Sequence, residues 1–231
     1  MKSRFRLLAI SAGLVIAIVC WRSIAPEPTL LSFRPGQAFE EVVKNSTYPV
    51  LAQSNIPDGE TGWGATWVTD PAVVIRLNDS EHGFTLPPTK FAALSYQHNV
   101  VATLATSPML DALPFDEAVA ILENLQNQFK AGGWKPWEVD DSTWFDLTPE
   151  GKKRLYDRMF EPGYAQEANL HIPKLYGMVF RLKCTEGCWT QEPPYRFLID
   201  VGVGHDVFES KLGDPMLWEP SHPAASRKGM R

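Results

Sequence analysis

The side chains best suited to chemistry in this sequence are Asp200, His205 and Asp206. They belong to the run Ile-Asp-Val-Gly-Val-Gly-His-Asp, in which a strand-like segment ends at a turn with two glycines. A carboxylate beside an imidazole can act as a general base, or the two groups can serve as metal ligands. Turn chemistry explains the same residues equally well, because Gly and Asp favour turns. A hydrolase or a metal-dependent enzyme of the cell envelope is therefore an alternative function.

The other polar motifs do not point to catalysis. The five histidines lie at His82, His98, His171, His205 and His222, none in a His-Glu-x-x-His motif, and the sequence lacks Gly-x-Ser-x-Gly. Asp140 and Asp141, near Trp144, are adjacent and would point apart on any regular element, which indicates a solvated loop. We therefore expect a protein that is not an enzyme and that holds no cofactor and no metal.

Tryptophans are the strongest candidates for binding. Trp63 and Trp67 bracket a glycine loop, and Trp134, Trp137 and Trp144 cluster around the exit of the main helix. Tryptophans in loops of an acidic domain are typical contact residues of protein interfaces. Aromatic side chains that fill the end of a core give the same pattern. Both interpretations remain open for these five residues.

Cys184 and Cys188 form a Cys-x3-Cys segment across a glycine-containing turn between two strand-like runs. In an oxidising compartment this spacing predicts a disulfide that clamps a hairpin. A redox site would need Cys-x-x-Cys at a helix N-terminus, and a zinc site would need two further ligands nearby. The pair is therefore expected to be structural.

The first 25 residues predict a membrane anchor. A charge-free apolar run, Leu7–Trp21, follows Lys2, Arg4 and Arg6. Fifteen residues form a helix of roughly 22 Å, which suits a signal peptide or a short membrane span. Pro26 disfavours cleavage after Ala25, so a retained signal anchor is favoured, and cleavage or lipidation at Cys20 stays open. The basic stub keeps the N-terminus cytoplasmic, which in a bacterium places the rest in the periplasm.

The exported part is acidic. Without Lys2, Arg4, Arg6 and Arg22 it has 18 basic and 27 acidic side chains, a formal charge of −9. Such a surface disfavours nucleic acid and anionic lipid, and it suits a protein partner with a basic patch.

The predicted fold is α+β, one domain with a mainly antiparallel sheet packed by one long and one or two shorter helices. Residues 26–36 are Pro-rich and predict a tether, 37–212 form the domain, and 213–231 form a flexible tail. Helices are expected near 39–44, over 114–131 and from Pro149, and Gly83 to Pro88 indicates a break. Strands are expected over 65–69, 72–77, 90–96, 99–106, 176–182 and 195–203.

This layout resembles the membrane-anchored periplasmic immunity proteins that neutralise type VI secretion effectors, especially lipases. The shared features are the Met1–Arg22 anchor, the compact acidic α+β body and the Pro114–Trp134 helix segment ending in Gly-Gly-Trp. The resemblance implies a non-catalytic domain that binds and blocks a secreted toxin, and it assigns no individual site residue. A scaffold subunit of an envelope complex is a further alternative.

Overall fold

The computed structural model describes residues 29–56, 62–138 and 142–206. The predicted anchor, Asp140, Asp141 and the predicted tail lie outside these residues. In chain order the strands are β1 Thr29–Phe33, β2 Trp63–Val68, β3 Val73–Leu77, β4 Phe84–Thr89, β5 Ala92–Gln97, β6 Val100–Thr106, β7 Lys135–Pro136, β8 Ala165–Ile172, β9 Tyr176–Glu186 and β10 Arg196–His205. The α-helices are α1 Phe39–Asn45, α2 Phe115–Ala131 and α3 Pro149–Arg158, and a short 3-10 helix spans Val50–Gln53.

Two sheets organise the domain, which confirms the predicted α+β class. The larger sheet has seven antiparallel strands in the order β2-β5-β6-β10-β9-β8-β7. The smaller has the order β1-β3-β4, with β1 parallel to β3 and β3 antiparallel to β4. Within the described residues, no helix is long and apolar enough to cross a membrane.

The core lies against one face of the seven-stranded sheet. Helix α2 buries Ala118, Leu122, Leu125 and Phe129, and the Phe129 ring packs against Phe180 of β9 at 5.1 Å between centroids. Phe84 of β4 packs edge-on against the same Phe129 ring, so the small sheet joins this core. Because one face of the large sheet is covered in this way, its strands alternate buried and accessible residues.

The prediction of a tether over 26–36 is wrong, because strand β1 lies within this range. Leu31 and Phe33 are fully buried, and β1 pairs along its whole length with β3. Pro26 and Pro28 suggested an extended linker, but the apolar residues that follow them are part of the core. The domain therefore includes Thr29.

The prediction of a break from Gly83 to Pro88 is wrong, because most of these residues belong to strand β4. Pro87 and Pro88 lie within it, and they are tolerated because β4 is at the edge of the small sheet. Helix α3 begins as predicted: the Thr148 hydroxyl accepts a hydrogen bond from the Gly151 N–H at 3.1 Å, and Pro149 is the first helical residue.

Candidate functional site

The second face of the seven-stranded sheet carries two exposed tryptophans. On β2, Trp63 and Trp67 are 68% and 50% exposed, while Thr66 and Val68 between and beside them are buried. Residues i and i+4 of a strand lie on the same face, roughly 13 Å apart. We call this side of the sheet the open face.

Small side chains form the floor of the open face beside these tryptophans. The pairing register continues from Trp67 to Ala93, Ala105 and Gly202, and from Ala65 to Ser95, Thr103 and Gly204. No residue in these two rows on β5, β6 and β10 is larger than threonine. We call Ala93, Ser95, Thr103, Ala105, Gly202 and Gly204 the small-residue floor.

Gly202 is not required by the packing of the domain. A Cβ added there would lie 3.8 Å from the Leu104 carbonyl oxygen and 3.9 Å from the Val179 Cβ, which are ordinary contacts. At Gly204 the nearest atom, the Thr103 Cγ2, would be at 3.1 Å, which is tight. Glycine inside a strand weakens the strand, and it often marks a place where a ligand or another backbone approaches closely. Gly202 fits that description.

The outer edge of β2 is already occupied, so the face offers the free surface. The Ala65 N–H donates to the Asn55 Oδ1 at 2.9 Å, and the Ala65 carbonyl accepts from the Asn55 N–H at 3.0 Å. The Tyr48 hydroxyl donates to the Trp67 carbonyl at 2.7 Å. Addition of a partner strand along this edge would have to displace these bonds.

Asp200 lies on the open face inside a network of charged side chains. Its Oδ2 is 2.8 Å from the Arg181 Nη2 and 2.7 Å from the Lys183 Nζ, and the Ser107 hydroxyl donates to its Oδ1 at 2.8 Å. Burial alone would raise the pKa of Asp200, but the hydrogen bonds from Lys183, Arg181 and Ser107 outweigh it and lower the pKa. This carboxylate is therefore a stabilised anion and a poor proton acceptor.

The three residues of the predicted chemical cluster are not brought together. His205 is five residues beyond Asp200 on β10, roughly 16 Å along the strand and on its opposite side. The His205 ring lies against Gly36. Asp206 instead accepts a hydrogen bond from the Lys174 N–H at 2.8 Å, and its Oδ2 is 3.8 Å from the His171 Nδ1. Asp200 and His205 therefore do not belong to one site.

Trp134 is part of the core. It is 2% exposed, and its indole N–H donates to the His82 carbonyl at 3.0 Å. Its ring stacks near Tyr176 and packs beside Phe84 and Phe129. The core interpretation therefore holds at this position, and Trp134 presents almost no surface to a partner.

Trp137 and Trp144 are half-buried and lie at the β7–β8 end of the large sheet, away from β2. The Trp137 N–H donates to the Asn169 carbonyl at 2.8 Å, at the β8 edge of the sheet. Lys130 lies over the Trp144 ring, with its Nζ 5.1 Å from the centroid. Trp144 also lines a shallow cleft with Arg154 and Tyr164. The five predicted tryptophans are thus distributed over β2, the core and the β7–β8 end of the large sheet.

Trp189 is exposed as well, although it was not among the predicted binding residues. It is 70% exposed and follows Cys188, which is 1% exposed. Cys184 and Cys188 form the predicted disulfide, with a Cα–Cα distance of 6.3 Å. The sequence did indicate this exposure, because an aromatic residue directly after the second cysteine of a clamped turn has few neighbouring residues that could cover it.

Metal ligation finds no support in the described ranges: none of their His, Cys, Asp and Glu side chains form a group of three or more that could hold an ion.

No protein-family model matches this chain, and no curated protein and no solved structure is significantly similar to it. Its function is therefore inferred from the chemistry of its own surfaces.

Proposed function

We propose that this protein is a membrane-anchored, periplasm-facing binding protein that captures and neutralises an antibacterial effector, as an immunity protein does. The observation that carries the proposal is the pair Trp63 and Trp67, exposed beside the small-residue floor. Two large aromatic side chains beside the small-residue floor form a surface onto which a segment of another protein can pack.

The energetics favour a protein partner at this face. Interface residues that dominate binding are enriched in Trp, Tyr and Arg, and they cluster in well-packed positions that exclude water. Exposed tryptophans lose little side-chain entropy on binding because they have only two rotatable bonds. At Gly202 a partner backbone can approach β10 more closely than a side chain there would allow.

Charge supports the choice of partner. The chain after residue 25 carries a formal −9, which attracts a basic surface and speeds association with it. On the open face itself, Glu167 and Asp200 are paired with Arg181 and Lys183. A partner that covers these two carboxylates therefore leaves neither of them as an unpaired charge.

The predicted anchor, residues 1–25, supports interception at the membrane. A domain held at the outer face of the inner membrane meets an incoming effector at a high effective concentration. Tethering also suits stoichiometric capture, because a blocked toxin does not have to be released.

The test uses the full chain and the products of the genes that flank its own gene. We expect one of these products to bind the chain, to be toxic in the periplasm and to be neutralised by co-production of the chain. The double variant Trp63→Ala, Trp67→Ala should weaken binding by about 30-fold or more, which corresponds to the loss of ~2 kcal/mol at an interface hot spot.

Leu51→Ala is the matched control, because Leu51 is 69% exposed and lies in the 3-10 helix before β2. It should bind as the unchanged chain does. Absence of binding by every flanking product would end the immunity proposal. If the double variant bound with unchanged affinity, the open face would not be the binding site of the immunity protein. If the chain bound envelope machinery in place of a toxin, a scaffold subunit would be favoured.

A further inference from the structure

The β9–β10 hairpin extends past the strands on both sides of it, because β6 stops opposite Val201 and β8 pairs with β9 only as far as Lys183. Strand β6 ends at Thr106, which pairs with Val201, whereas β10 begins five residues earlier at Arg196. The hairpin therefore projects roughly 16 Å past the end of β6. We call residues 184–195 the hairpin tip.

The base of this projection is held firmly. The ring of Phe197, which is fully buried, packs against Phe115 at 5.3 Å and Tyr156 at 6.3 Å between centroids. Phe197 and Leu113 also exchange backbone hydrogen bonds of 2.9 and 3.0 Å. At the last residue of the tip, Tyr195 packs edge-on against Phe160 at 5.0 Å between centroids.

The tip is also fixed from within. The Cys184–Cys188 disulfide closes its first turn. The Gly187 carbonyl accepts hydrogen bonds from the Glu192 N–H at 3.1 Å and from the Thr190 hydroxyl at 3.2 Å. Gly187 has φ +80°, and a Cβ there would lie 2.5 Å from the Glu192 carbonyl oxygen, so the loop folds tightly on itself.

This fixed tip presents one large apolar side chain between acidic groups. Trp189 is 70% exposed, and Glu186 and Glu192 on either side of it are exposed. The sequence between Lys183 and Arg196 contains no lysine or arginine. An exposed indole on a loop that is already ordered loses little conformational entropy when it enters a pocket.

We infer that the hairpin tip is a second binding element, which inserts Trp189 into an apolar pocket of a protein partner whose rim is basic. This inference rests on the proposed function and deepens it, because it gives the partner a pocket and a charge. The tip lies at one end of the sheet and the tryptophans of β2 lie on its open face, so the two elements can be separated by mutation.

The first experiment places a photo-crosslinking amino acid in the full chain, in its native cells, at position 189, 67 or 175. Leu175 is the matched control, because it is 47% exposed and lies directly before Tyr176, at the end of β9 that is away from the hairpin tip. We expect the same protein adduct from positions 189 and 67, and none from 175.

The second experiment measures binding of that crosslinked protein, purified, to the full chain. Trp189→Ala should weaken it by about 30-fold or more, with an unchanged urea midpoint, because the side chain is exposed. Leu175→Ala should leave it unchanged. Glu186→Gln with Glu192→Gln should slow association and reduce its salt dependence, because charges at an interface mainly steer the encounter.

The outcomes separate the two proposals. Three results would overturn this inference and leave the open face in place. They are a protein adduct from position 67 alone, an adduct between position 189 and lipid, and a Trp189→Ala variant that binds within about threefold of the unchanged chain. An adduct from 189 alone supports the tip and removes the open face. No protein adduct from either position overturns both.

Discussion

Replacing Gly202 with alanine should make the protein more stable. Gly202 lies in the middle of β10, and the nearest atoms to an added Cβ are at 3.8 and 3.9 Å, so the methyl group meets no clash. Glycine inside a strand costs about 0.5–1 kcal/mol relative to alanine, through the extra freedom of the unfolded chain. For a domain of this size, that gain raises Tm by about 1–4 °C.

Gly202→Val should add to this gain. Val179 is the register partner of Gly202 on β9, and a pair of β-branched residues across two strands contributes about 0.2–1 kcal/mol. The same variant should lose affinity for the partner, because its side chain fills the small-residue floor. Higher stability combined with weaker binding is the signature of a glycine kept for an external contact.

Urea unfolding followed by far-UV circular dichroism measures the first effect, and the Tm from calorimetry checks it. Gly187→Ala is the contrasting variant: its φ of +80° and a Cβ position 2.5 Å from a carbonyl oxygen should destabilise the protein by more than about 1 kcal/mol. If Gly202→Ala lowered stability, the glycine would be needed by the domain itself. The inference of an approaching partner backbone would then lose its basis.

Three further measurements test other parts of the structure. Trp134→Ala should lower the free energy of unfolding by about 3–5 kcal/mol, whereas Trp63→Ala should change it by less than about 0.5 kcal/mol, both measured in urea. The lowered pKa of Asp200 contributes stability that is present above its unfolded pKa of roughly 3.9 and is lost as pH falls through the folded pKa. Asp200→Asn should therefore flatten the acid side of the stability–pH profile, and an unchanged profile would contradict the network. Replacing Cys184 and Cys188 with alanine should cost about 2 kcal/mol, the loop entropy of a five-residue ring, and an undiminished urea midpoint would argue against the bridge.

Local patterns predicted the elements whose signals are strong within a few residues. Helix α2 follows from its apolar stripe, from the acidic residues of its first turn and from Gly132 and Gly133 at its end. Thr148 and Pro149 likewise mark the start of α3. The disulfide follows from a spacing of four residues, because a turn brings such close neighbours together.

Strands whose character depends on their neighbours were missed. Strand β8 buries Ala168, Leu170 and Ile172, but polar residues alternate with them because its other side faces the open sheet. Strand β1 is short and follows two prolines, and it is a strand only because β3 lies beside it. Pairing partners far along the chain decide such elements, and no local window contains them.

The sequence by itself determined the acidic charge, the clamped cysteine pair and the α+β class, because composition and short-range spacing are sufficient for them. Tertiary structure alone decided which tryptophans are available: Trp134 is enclosed by the core, while Trp63, Trp67 and Trp189 are exposed. It also separated Asp200 from His205, although only four residues lie between them, since alternate residues of a strand face opposite sides of the sheet. Exposure and convergence are properties of packed strands, so they arise only when distant segments meet.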